Sequence, residues 1–397
     1  MSEMSYLEKL LDGVEVEWLP LGEVSALRRG RVMSKGYLTE NFGPYPVYSS
    51  QTANNGKIGS INTFDFDGEY ISWTTDGANA GTVFYRTGKF SITNVCGLIT
   101  LKSKYPLIYK FLFYWLTIEA KKHVYSGMGN PKLMSHQVEN IPVPIPCPDN
   151  PEKSLAIQSE IVRILDKFTE LTAELTAELT AELTMRKKQY NYYRDQLLSF
   201  KDGEVEWKTL GEVAQYSKTR ISFELLDERN YVGVDNLLQN RAGKSLSNHV
   251  PTSGKLTEFI PNDILIGNIR PYLKKIWQAD CIGGTNGDVL VIRCIDSSIN
   301  TRYLYQILAD DKFFEYNMQH AKGAKMPRGS KEDIMKYPIP VPPLTLQARI
   351  VEILNKFDTL TNSITEGLPR EIELRQKQYE YYRDLLFSFP KPETASN

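Results

Sequence analysis

Residues 161–168 read Ile-Val-Arg-Ile-Leu-Asp-Lys-Phe, and residues 350–357 read Ile-Val-Glu-Ile-Leu-Asn-Lys-Phe. A second matching pair lies at the same separation of 189 residues, with Arg-Lys-Lys-Gln-Tyr-Asn-Tyr-Tyr-Arg-Asp at 186–195 and Arg-Gln-Lys-Gln-Tyr-Glu-Tyr-Tyr-Arg-Asp at 375–384. Matches that keep one offset over separate blocks indicate an internal duplication. The chain therefore consists of two related halves.

Between the matched blocks the two halves differ. Each half opens on the tripeptide Val-Glu-Trp, at 16–18 and 205–207, but residues 25–140 and 214–337 share little. Apolar runs and turn residues in these private parts predict strands at 70–75, 82–86, 96–101, 264–266 and 289–293, a tight turn at 86–89, and helices at 109–122 and 303–316. Each half is therefore predicted to carry a private mixed α/β domain followed by a shared helical region.

The shared segments predict long helices. From Ile157 to Leu183 apolar residues recur at steps of three and four, and no Gly or Pro interrupts residues 156–198. At 1.5 Å per residue this stretch would form a rod of roughly 60 Å. It contains three copies of Thr-Ala-Glu-Leu, which begin at Thr172 and place Leu175, Leu179 and Leu183 on the apolar stripe. The second region is interrupted at 367–369 (Gly-Leu-Pro), which predicts two helices or a kink. We expect an antiparallel pair of helical regions that holds the private domains apart.

The fold class predicted from these patterns is mixed α/β, with two globular domains and a pseudo-two-fold duplication. A length of 397 residues agrees, since domains of about 150 residues predict two or three of them. The predicted division is 1–153 (first domain, with 1–15 packing on the helical region), 154–201 (first helical spacer), 202–343 (second domain), 344–390 (second helical region) and 391–397 (tail).

Composition excludes several classes of protein. The chain has 47 Lys and Arg against 48 Asp and Glu, which excludes a generic polycation but permits segregated basic patches. Its four Cys and four His residues are scattered, so we expect no zinc site and free thiols in a reducing cytoplasm. The longest apolar run, 111–116, is far shorter than the roughly 18 residues that a membrane helix needs. With no signal-peptide pattern at residues 1–11, we predict a cytoplasmic protein without membrane contact.

Two entry segments complete the pattern. Residues 141–146 (Ile-Pro-Val-Pro-Ile-Pro) precede Gln158-Ser-Glu-Ile161, and residues 338–343 (Pro-Ile-Pro-Val-Pro-Pro) precede Gln347-Ala-Arg-Ile350. With this alternation of private domains and shared helices, nearly the whole chain resembles the DNA-specificity subunit of type I restriction–modification enzymes. The Thr-Ala-Glu-Leu tandem is similar to that of the type IC subfamily in particular.

The resemblance implies a function. Each private domain would be a target recognition domain that reads one half of a bipartite, asymmetric site in double-stranded DNA. The helices would be the spacer and the docking surface for two modification subunits, which methylate adenine with S-adenosylmethionine. Two restriction subunits would add ATP- and Mg²⁺-dependent translocation and cleavage. The chain itself would be a non-catalytic subunit in the bacterial cytoplasm, with no cofactor or metal of its own.

Candidate DNA contacts follow from residue chemistry. Phosphates are bound by Lys and Arg, and bases are read by Arg, Lys and the amides of Asn and Gln on loops. The candidates, in clusters along the chain, are Arg28, Arg29 and Arg31 beside a flexible Gly30; Gln51, Asn54, Asn55 and Lys57; Lys132; Lys218 and Arg220; Arg270, Lys274 and Lys275; and Lys322, Lys325 and Arg328. For each single residue, an ordinary solvated surface loop is the alternative interpretation.

A second set of candidates lies on the matched helices. These residues are near-identical in both halves, which predicts contact with two identical partner subunits; a shared core contact is the alternative. They are Tyr190, Tyr193, Arg194, Tyr379, Tyr382 and Arg383.

Two other functions are alternatives. A duplicated scaffold that binds proteins or carbohydrates would also fit a helical rod with two domains. An autonomous nuclease or methyltransferase is disfavoured, because the chain has no amino-methyltransferase motif of the form Asn/Asp-Pro-Pro-aromatic. Residues 242–245 (Ala-Gly-Lys-Ser) resemble the end of a phosphate loop, but position 238 is Leu where that motif needs Gly.

Overall fold

The computed structural model describes residues 6–127, 129–201, 203–363 and 366–391. The chain forms two compact units. Unit 1 comprises the described residues up to Ala173 together with those from Gln376 onward, and unit 2 runs from Glu174 to Arg375.

The strands of the first half are β1 (Val16–Pro20), β2 (Ser25–Arg29), β3 (Phe42–Tyr48), β4 (Lys57–Ile61), β5 (Phe66–Thr74), β6 (Val83–Ile92), β7 (Cys96–Leu101) and β8 (Pro142–Pro146). Those of the second half are β9 (Glu206–Thr209), β10 (Ala214–Tyr216), β11 (Arg220–Ser222), β12 (Tyr231–Val232), β13 (Lys255–Phe259), β14 (Ile264–Gly267), β15 (Ile276–Gln278), β16 (Gly283–Thr285), β17 (Val289–Cys294) and β18 (Pro338–Val341).

The helices are α1 (Tyr6–Leu11), α2 (Leu21–Val24), α3 (Lys35–Glu40), α4 (Tyr109–Glu119), α5 (Ser135–Val138), α6 (Pro151–Leu197), α7 (Leu210–Val213), α8 (Thr301–Leu308), α9 (Asp311–Gln319), α10 (Lys331–Ile334), α11 (Leu344–Asn362) and α12 (Gly367–Leu386).

The two halves share a four-stranded core that their sequences do not reveal. In unit 1 the six-stranded sheet has the order β2-β7-β5-β6-β3-β4, and in unit 2 the main sheet has the order β10-β17-β14-β15. The first four strands correspond one to one, all paired antiparallel. Unit 1 extends this core with β3 and β4, whereas unit 2 builds a separate sheet, β11-β13-β16-β12. The predicted α/β class and duplication are confirmed.

Matched short elements close each domain. The strand that begins each half pairs antiparallel with the proline-rich entry segment, β1 with β8 in unit 1 and β9 with β18 in unit 2. Proline lacks the backbone N–H that a central strand must donate, so it is confined to edge positions such as these two-stranded ladders. The alternation of proline and apolar residues in both entry segments follows from this pairing.

The shared segments form the long helices that their periodicity predicts. Helix α6 is continuous over 47 residues, while the second region is divided into α11 and α12. The division falls before Gly367, which adopts φ +78° and where a Cβ atom would lie 2.5 Å from the Thr359 carbonyl oxygen. Only glycine tolerates both conditions.

The helical regions meet within each unit, and in unit 1 they run antiparallel. In unit 1, Phe168 packs on Tyr382 with ring centroids 5.6 Å apart, and Thr169 Oγ1 donates to Tyr379 Oη at 3.1 Å. The later residue of α6 thus meets the earlier residue of α12. In unit 2, helix α6 meets α11 through a stacked pair of rings at 5.8 Å, Tyr190 on Phe357.

A buried glutamine joins each domain to its long helix. In unit 1, Gln158 Oε1 accepts the Ile108 N–H at 2.9 Å, and its Nε2 donates to the Pro106 carbonyl at 2.6 Å. In unit 2, Gln347 makes the same two bonds, to Asn300 and Ser298, both at 2.8 Å. These contacts fix the N-terminal end of α4 and of α8, and they explain why both helical regions carry a Gln near their start.

Two of the predicted elements are wrong. No tight turn occurs at 86–89, because β6 continues through it; Gly88 pairs there with Gly68, and both glycines adopt positive φ without ending the ladder. The helix expected at 303–316 is two helices, since Asp310 caps a new helix by accepting the Lys312 N–H at 2.8 Å. The helix expected at 109–122 ends as α-helix at Glu119 and continues as a 3₁₀ turn.

Candidate nucleic-acid interface

In unit 1, several strand ends meet at one edge of the sheet. We call it the first edge, and its segments are 28–31, 49–57, 75–81, 93–96, 125–127 and 129–132. Contacts join these segments: Thr93 forms a bridge with Arg31, and its Oγ1 donates to Ser49 Oγ at 2.9 Å. Asn79 Nδ2 donates to the Ser50 carbonyl at 3.0 Å. Candidate residues distant in sequence thereby share one surface.

The three arginines at the end of β2 are exposed. Arg28 and Arg29 lie on the strand, and Arg31 follows it with its Nε 3.0 Å from the Asp65 carboxylate. Hydrogen bonding to Tyr37 and to Asp65 raises the pKa of Arg31, so its guanidinium keeps its charge. The first edge therefore presents three exposed arginine side chains.

Gly30 has a different role from the one predicted. A Cβ atom at this position would lie 2.3 Å from the carbonyl oxygens of Ile92 and Thr93. The glycine is required for close backbone approach between β2 and the end of β6, not for flexibility.

The polar loop 49–57 is a preformed turn. Gln51 Nε2 donates to the Lys57 carbonyl at 2.5 Å and so spans the loop. Asn54, Asn55 and Gly56 follow one another in the left-handed region, with φ of 50°, 54° and 80°. Asn and Gly tolerate this conformation best, and here it turns both exposed asparagine side chains to the surface.

A hairpin brings Lys132 to the same edge. Its N–H and carbonyl bond to Tyr125 at 3.0 and 2.8 Å, and it also forms a bridge with Asp76, which follows β5. The Lys132 side chain is exposed.

In unit 2, the corresponding strand ends form the second edge, with segments 217–220, 268–275, 287–289 and 322–328. Lys322 and Arg328 close a hairpin through two backbone bonds of 2.9 Å, and Arg328 forms a bridge with Ile269, which follows β14. Arg328 Nη1 lies 2.9 Å from the Asp288 carboxylate. The Arg270 N–H donates to the hairpin at 2.7 Å, and its side chain is exposed.

Lys325, Lys274 and Lys275 of this edge differ in availability. Lys325 is exposed. Lys274 Nζ pairs with Asp311 Oδ1 at 2.7 Å, whereas Lys275 donates to the Val234 carbonyl, and burial lowers the pKa of Lys275. Lys274 and Lys275 are thus committed to contacts within unit 2.

Cations occupy matched positions at the two edges. Arg29 is the last residue of β2, and Arg31 follows that strand. Lys218 and Arg220 follow β10, the strand that corresponds to β2. Each of them lies 189 residues after its counterpart, which is the offset that relates the two halves. Both are exposed, and Arg220 Nη1 donates to Thr257 Oγ1 at 3.1 Å. The correspondence lies inside segments whose sequences otherwise differ.

The hairpins supply a third match. Lys132 follows Pro131 and Arg328 follows Pro327, and each cation lies at the bridge position beside the strand end that corresponds in the two sheets. The sequence already predicts that residues 322–328 correspond to the segment that ends at Lys132, and the shared strand order places Lys132 and Arg328 at equivalent positions.

Arg86 is a further residue of the first edge, and sequence analysis missed it. It lies on β6, is 2% exposed, and Nη1 donates to the Asn55 carbonyl of the polar loop at 2.8 Å. The predicted turn at 86–89 places Arg86 in a turn, whereas it lies within a strand. Its position on the inward-facing side of the strand is the sequence feature that could have identified it.

The predicted interface residues on the long helices divide into two groups. Tyr190 and Arg194 are each 2% exposed, and the Arg194 guanidinium lies 4.1 Å from the centre of the Tyr190 ring. These two residues lie within unit 2. The second group is at least partly exposed and comprises Tyr193, Tyr379, Tyr382 and Arg383.

Comparison with known families accounts for this arrangement. The family model for the type I restriction modification DNA specificity domain matches twice, over residues 13–185 and 203–374. The chain belongs to this family. The double match coincides with the internal duplication, and membership makes the chain a specificity subunit, which is the non-catalytic component of such a system.

Relatives cover the whole chain. The specificity subunit of the type I restriction enzyme EcoR124I/EcoR124II from Escherichia coli is 42% identical, with 100% of both chains covered. A putative type I specificity subunit of Haemophilus influenzae is 33% identical over 97% of this chain and 98% of its own. The family assignment favours a DNA-specificity role over the scaffold alternative.

Solved structures share the fold at low identity. The S subunit of a type I system from M. genitalium aligns with a TM-score of 0.51 at 16% identity, over 98% of this chain and 100% of its own. A chain from a structural study of type I complex assembly aligns with a TM-score of 0.57 at 14% identity, over 94% and 96%. In the described ranges we find no cluster of metal-ligating side chains and no helix long and apolar enough to span a bilayer.

Proposed function

We propose that the chain reads a bipartite, asymmetric site in double-stranded DNA, with one half-site bound at the first edge and the other at the second. The observation that carries this proposal is the recurrence of exposed cations at corresponding strand ends of two domains with unlike sequences. A shared surface chemistry on divergent domains fits a ligand whose backbone is constant and whose sequence varies.

The candidate contacts divide into those that recur at both edges and those that do not. Phosphate contacts carry no sequence information, so the residues that bind them can be the same in both domains. We assign phosphates to the three matched pairs, Arg29 with Lys218, Arg31 with Arg220, and Lys132 with Arg328. We assign base reading to the unmatched polar groups, which are Gln51, Asn54, Asn55, Lys57 and Arg270, with Arg28, Lys322 and Lys325 as accessory cations. Lys274 and Lys275 support the second edge from within.

The partners complete the function. We propose that the chain directs adenine methylation by two modification subunits, which use S-adenosylmethionine. Two restriction subunits, which use ATP and Mg²⁺, would cleave DNA. The predicted five-segment division places the subunit docking surface on the helical regions 154–201 and 344–390. Of the helix residues, Tyr193, Tyr379, Tyr382 and Arg383 remain the proposed contacts, since they are accessible. The complex would act in the bacterial cytoplasm.

The experiment is a salt series on the chain assembled with modification subunits and bound to its cognate duplex. Lys132→Ala should weaken binding to all duplexes alike and reduce the slope of log affinity against log salt by about one. Lys104→Ala is the control, because Lys104 is exposed in the turn after β7, at the end of that strand away from the first edge; it should leave the slope unchanged. A flat salt response of the parent complex would refute DNA recognition through these edges.

Base reading has a separate test in the same assembly. Asn54→Gly removes an exposed amide and keeps the left-handed backbone. It should reduce discrimination among variants of one half-site by about tenfold, as expected for one base contact, and leave the salt slope unchanged. Equal effects at both half-sites would contradict the assignment.

A further inference from the structure

Arg86 is a buried arginine that lies directly beneath the polar loop of the first edge. It sits on β6 opposite Tyr70 of β5 and is 2% exposed. Its guanidinium lies between two rings, with the carbon centre 3.6 Å from the Tyr48 centroid and 4.4 Å from that of Phe84. The planar group is therefore fixed in orientation.

The hydrogen bonds of Arg86 point at the turn of this loop. Nε donates to the buried Ser72 Oγ at 3.0 Å, and Nη1 donates to the Asn55 carbonyl at 2.8 Å. A Cβ atom at Gly56 would lie 3.0 Å from Nη2, so the guanidinium packs against the left-handed segment itself. Arg86 is the side chain that joins the sheet interior to the two exposed asparagines.

The charge of Arg86 has no internal counter-ion. Within the described ranges, no Asp or Glu contacts its guanidinium. Burial lowers the pKa of Arg86 to about 10, which still leaves it charged at neutral pH. A buried charge without an opposite partner costs folding stability. Arg293 of unit 2 shows the contrast, because its Nη2 lies 2.7 Å from the carboxylate of Asp263, which is itself buried.

We propose that Arg86 is a positioning residue for base selection at one half-site, because it holds the left-handed turn 54–56 in its reading conformation. This inference rests on the proposed function of the first edge. Hydrogen bonding to a backbone carbonyl sets the turn, and the rings of Tyr48 and Phe84 hold the guanidinium in place. Burial of the unpaired charge lowers folding stability, and in return the turn 54–56 is held in one conformation before DNA binds.

The test is methylation of a duplex library by the complete assembly of this chain with its modification subunits, with each half-site varied separately. Arg86→Met keeps an unbranched, flexible side chain in place of the aliphatic part of arginine and removes the charge and both donors. It should reduce discrimination at one half-site about tenfold, the size of one lost base contact, and leave the other half-site unchanged. Unchanged discrimination, or an equal loss at both half-sites, would overturn the proposal.

Arg293→Met is the matched control. It leaves Asp263 buried without a partner, so it should lower the melting temperature of the chain more than Arg86→Met does. It should leave the half-site read at the first edge unaffected. A fall in melting temperature for Arg86→Met as large as that of Arg293→Met, with discrimination intact, would assign Arg86 a purely structural role.

Two more variants keep the outcome decisive. If Arg86→Met does not assemble, Arg86→Lys carries the test, because lysine keeps the charge but cannot donate to Ser72 and Asn55 in one planar geometry. It should show the same selective loss, and parent-like discrimination would refute the proposal. Asn54→Gly separates this inference from the function it rests on: an effect of Asn54→Gly without one of Arg86→Met refutes the inference alone, whereas no effect of either refutes base reading by the loop.

Discussion

At the scale of single residues, two buried glutamines join the long helices to the domains through hydrogen bonds. Gln158 and Gln347 are both fully buried, and each both accepts and donates a hydrogen bond at the N-terminal end of a domain helix. These bonds satisfy backbone groups that a helix start leaves unpaired. An apolar replacement would leave the groups buried without partners.

We therefore expect Gln158→Leu to lower the free energy of unfolding by about 2 kcal/mol, the cost of stranding buried polar groups. Chemical denaturation of the purified chain measures it, and Gln347→Leu should behave alike. Gln196→Leu, on the exposed side of α6, is the control and should change stability little. Equal stability of Gln158→Leu and Gln196→Leu would contradict this role.

At the scale of elements, the Thr-Ala-Glu-Leu tandem explains how a helix can gain or lose a unit. Leu175, Leu179 and Leu183 are half-buried along one side of α6. Thr180 Oγ1 donates to the Thr176 carbonyl at 2.7 Å, and Thr184 Oγ1 donates to the Thr180 carbonyl at 2.9 Å, so these hydroxyl groups bond within the helix. Each unit places a leucine at the same step, so the number of units can change without loss of the leucine stripe.

Deleting residues 180–183 should shorten the unread spacer of the DNA site by one base pair and leave both half-sites unchanged. Four residues advance a helix by about 6 Å and rotate it by about 400°, a net turn of about 40°. One base pair turns about 35°, given 10–10.5 base pairs per turn, and advances about 3.4 Å. The rotations nearly match, and the roughly 3 Å difference is small enough for slight DNA distortion to absorb.

Mapping the methylated sites of the deletion variant beside the parent measures this change. Thr180→Ala alters the repeat without altering its length and should keep the parental spacer. An active deletion variant with an unchanged spacer would refute the proposal that the tandem sets the spacer length.

The elements also show how far sequence alone reaches. The helix α6, the break before Gly367 and the strand β7 follow from periodicity and breakers, because those signals are local. The shared strand order could not be predicted, since it depends on pairing between distant segments such as β2 with β7. For the same reason the candidate cations were found as clusters, but Arg86, which acts through the loop of another strand, was not.

At the scale of the whole molecule, duplication predicts two equivalent partner sites. The segments 186–195 and 375–384 are near-identical although the domains differ. Native mass spectrometry of the chain with an excess of modification subunit should therefore give two partners per chain. Tyr382→Ala, at an exposed position of α12, should weaken one of the two sites. A stable one-to-one complex at saturation would contradict the symmetry.

The central claim is that each half of the chain reads its own half-site. The most direct measurement is methylome sequencing of cells that carry this chain with its partner subunits, compared with cells in which residues 25–140 are replaced by those of a relative. The account predicts a bipartite methylated motif in which the exchange alters one half and preserves the other half. A motif that changes in both halves together, or one without two separate parts, would contradict it.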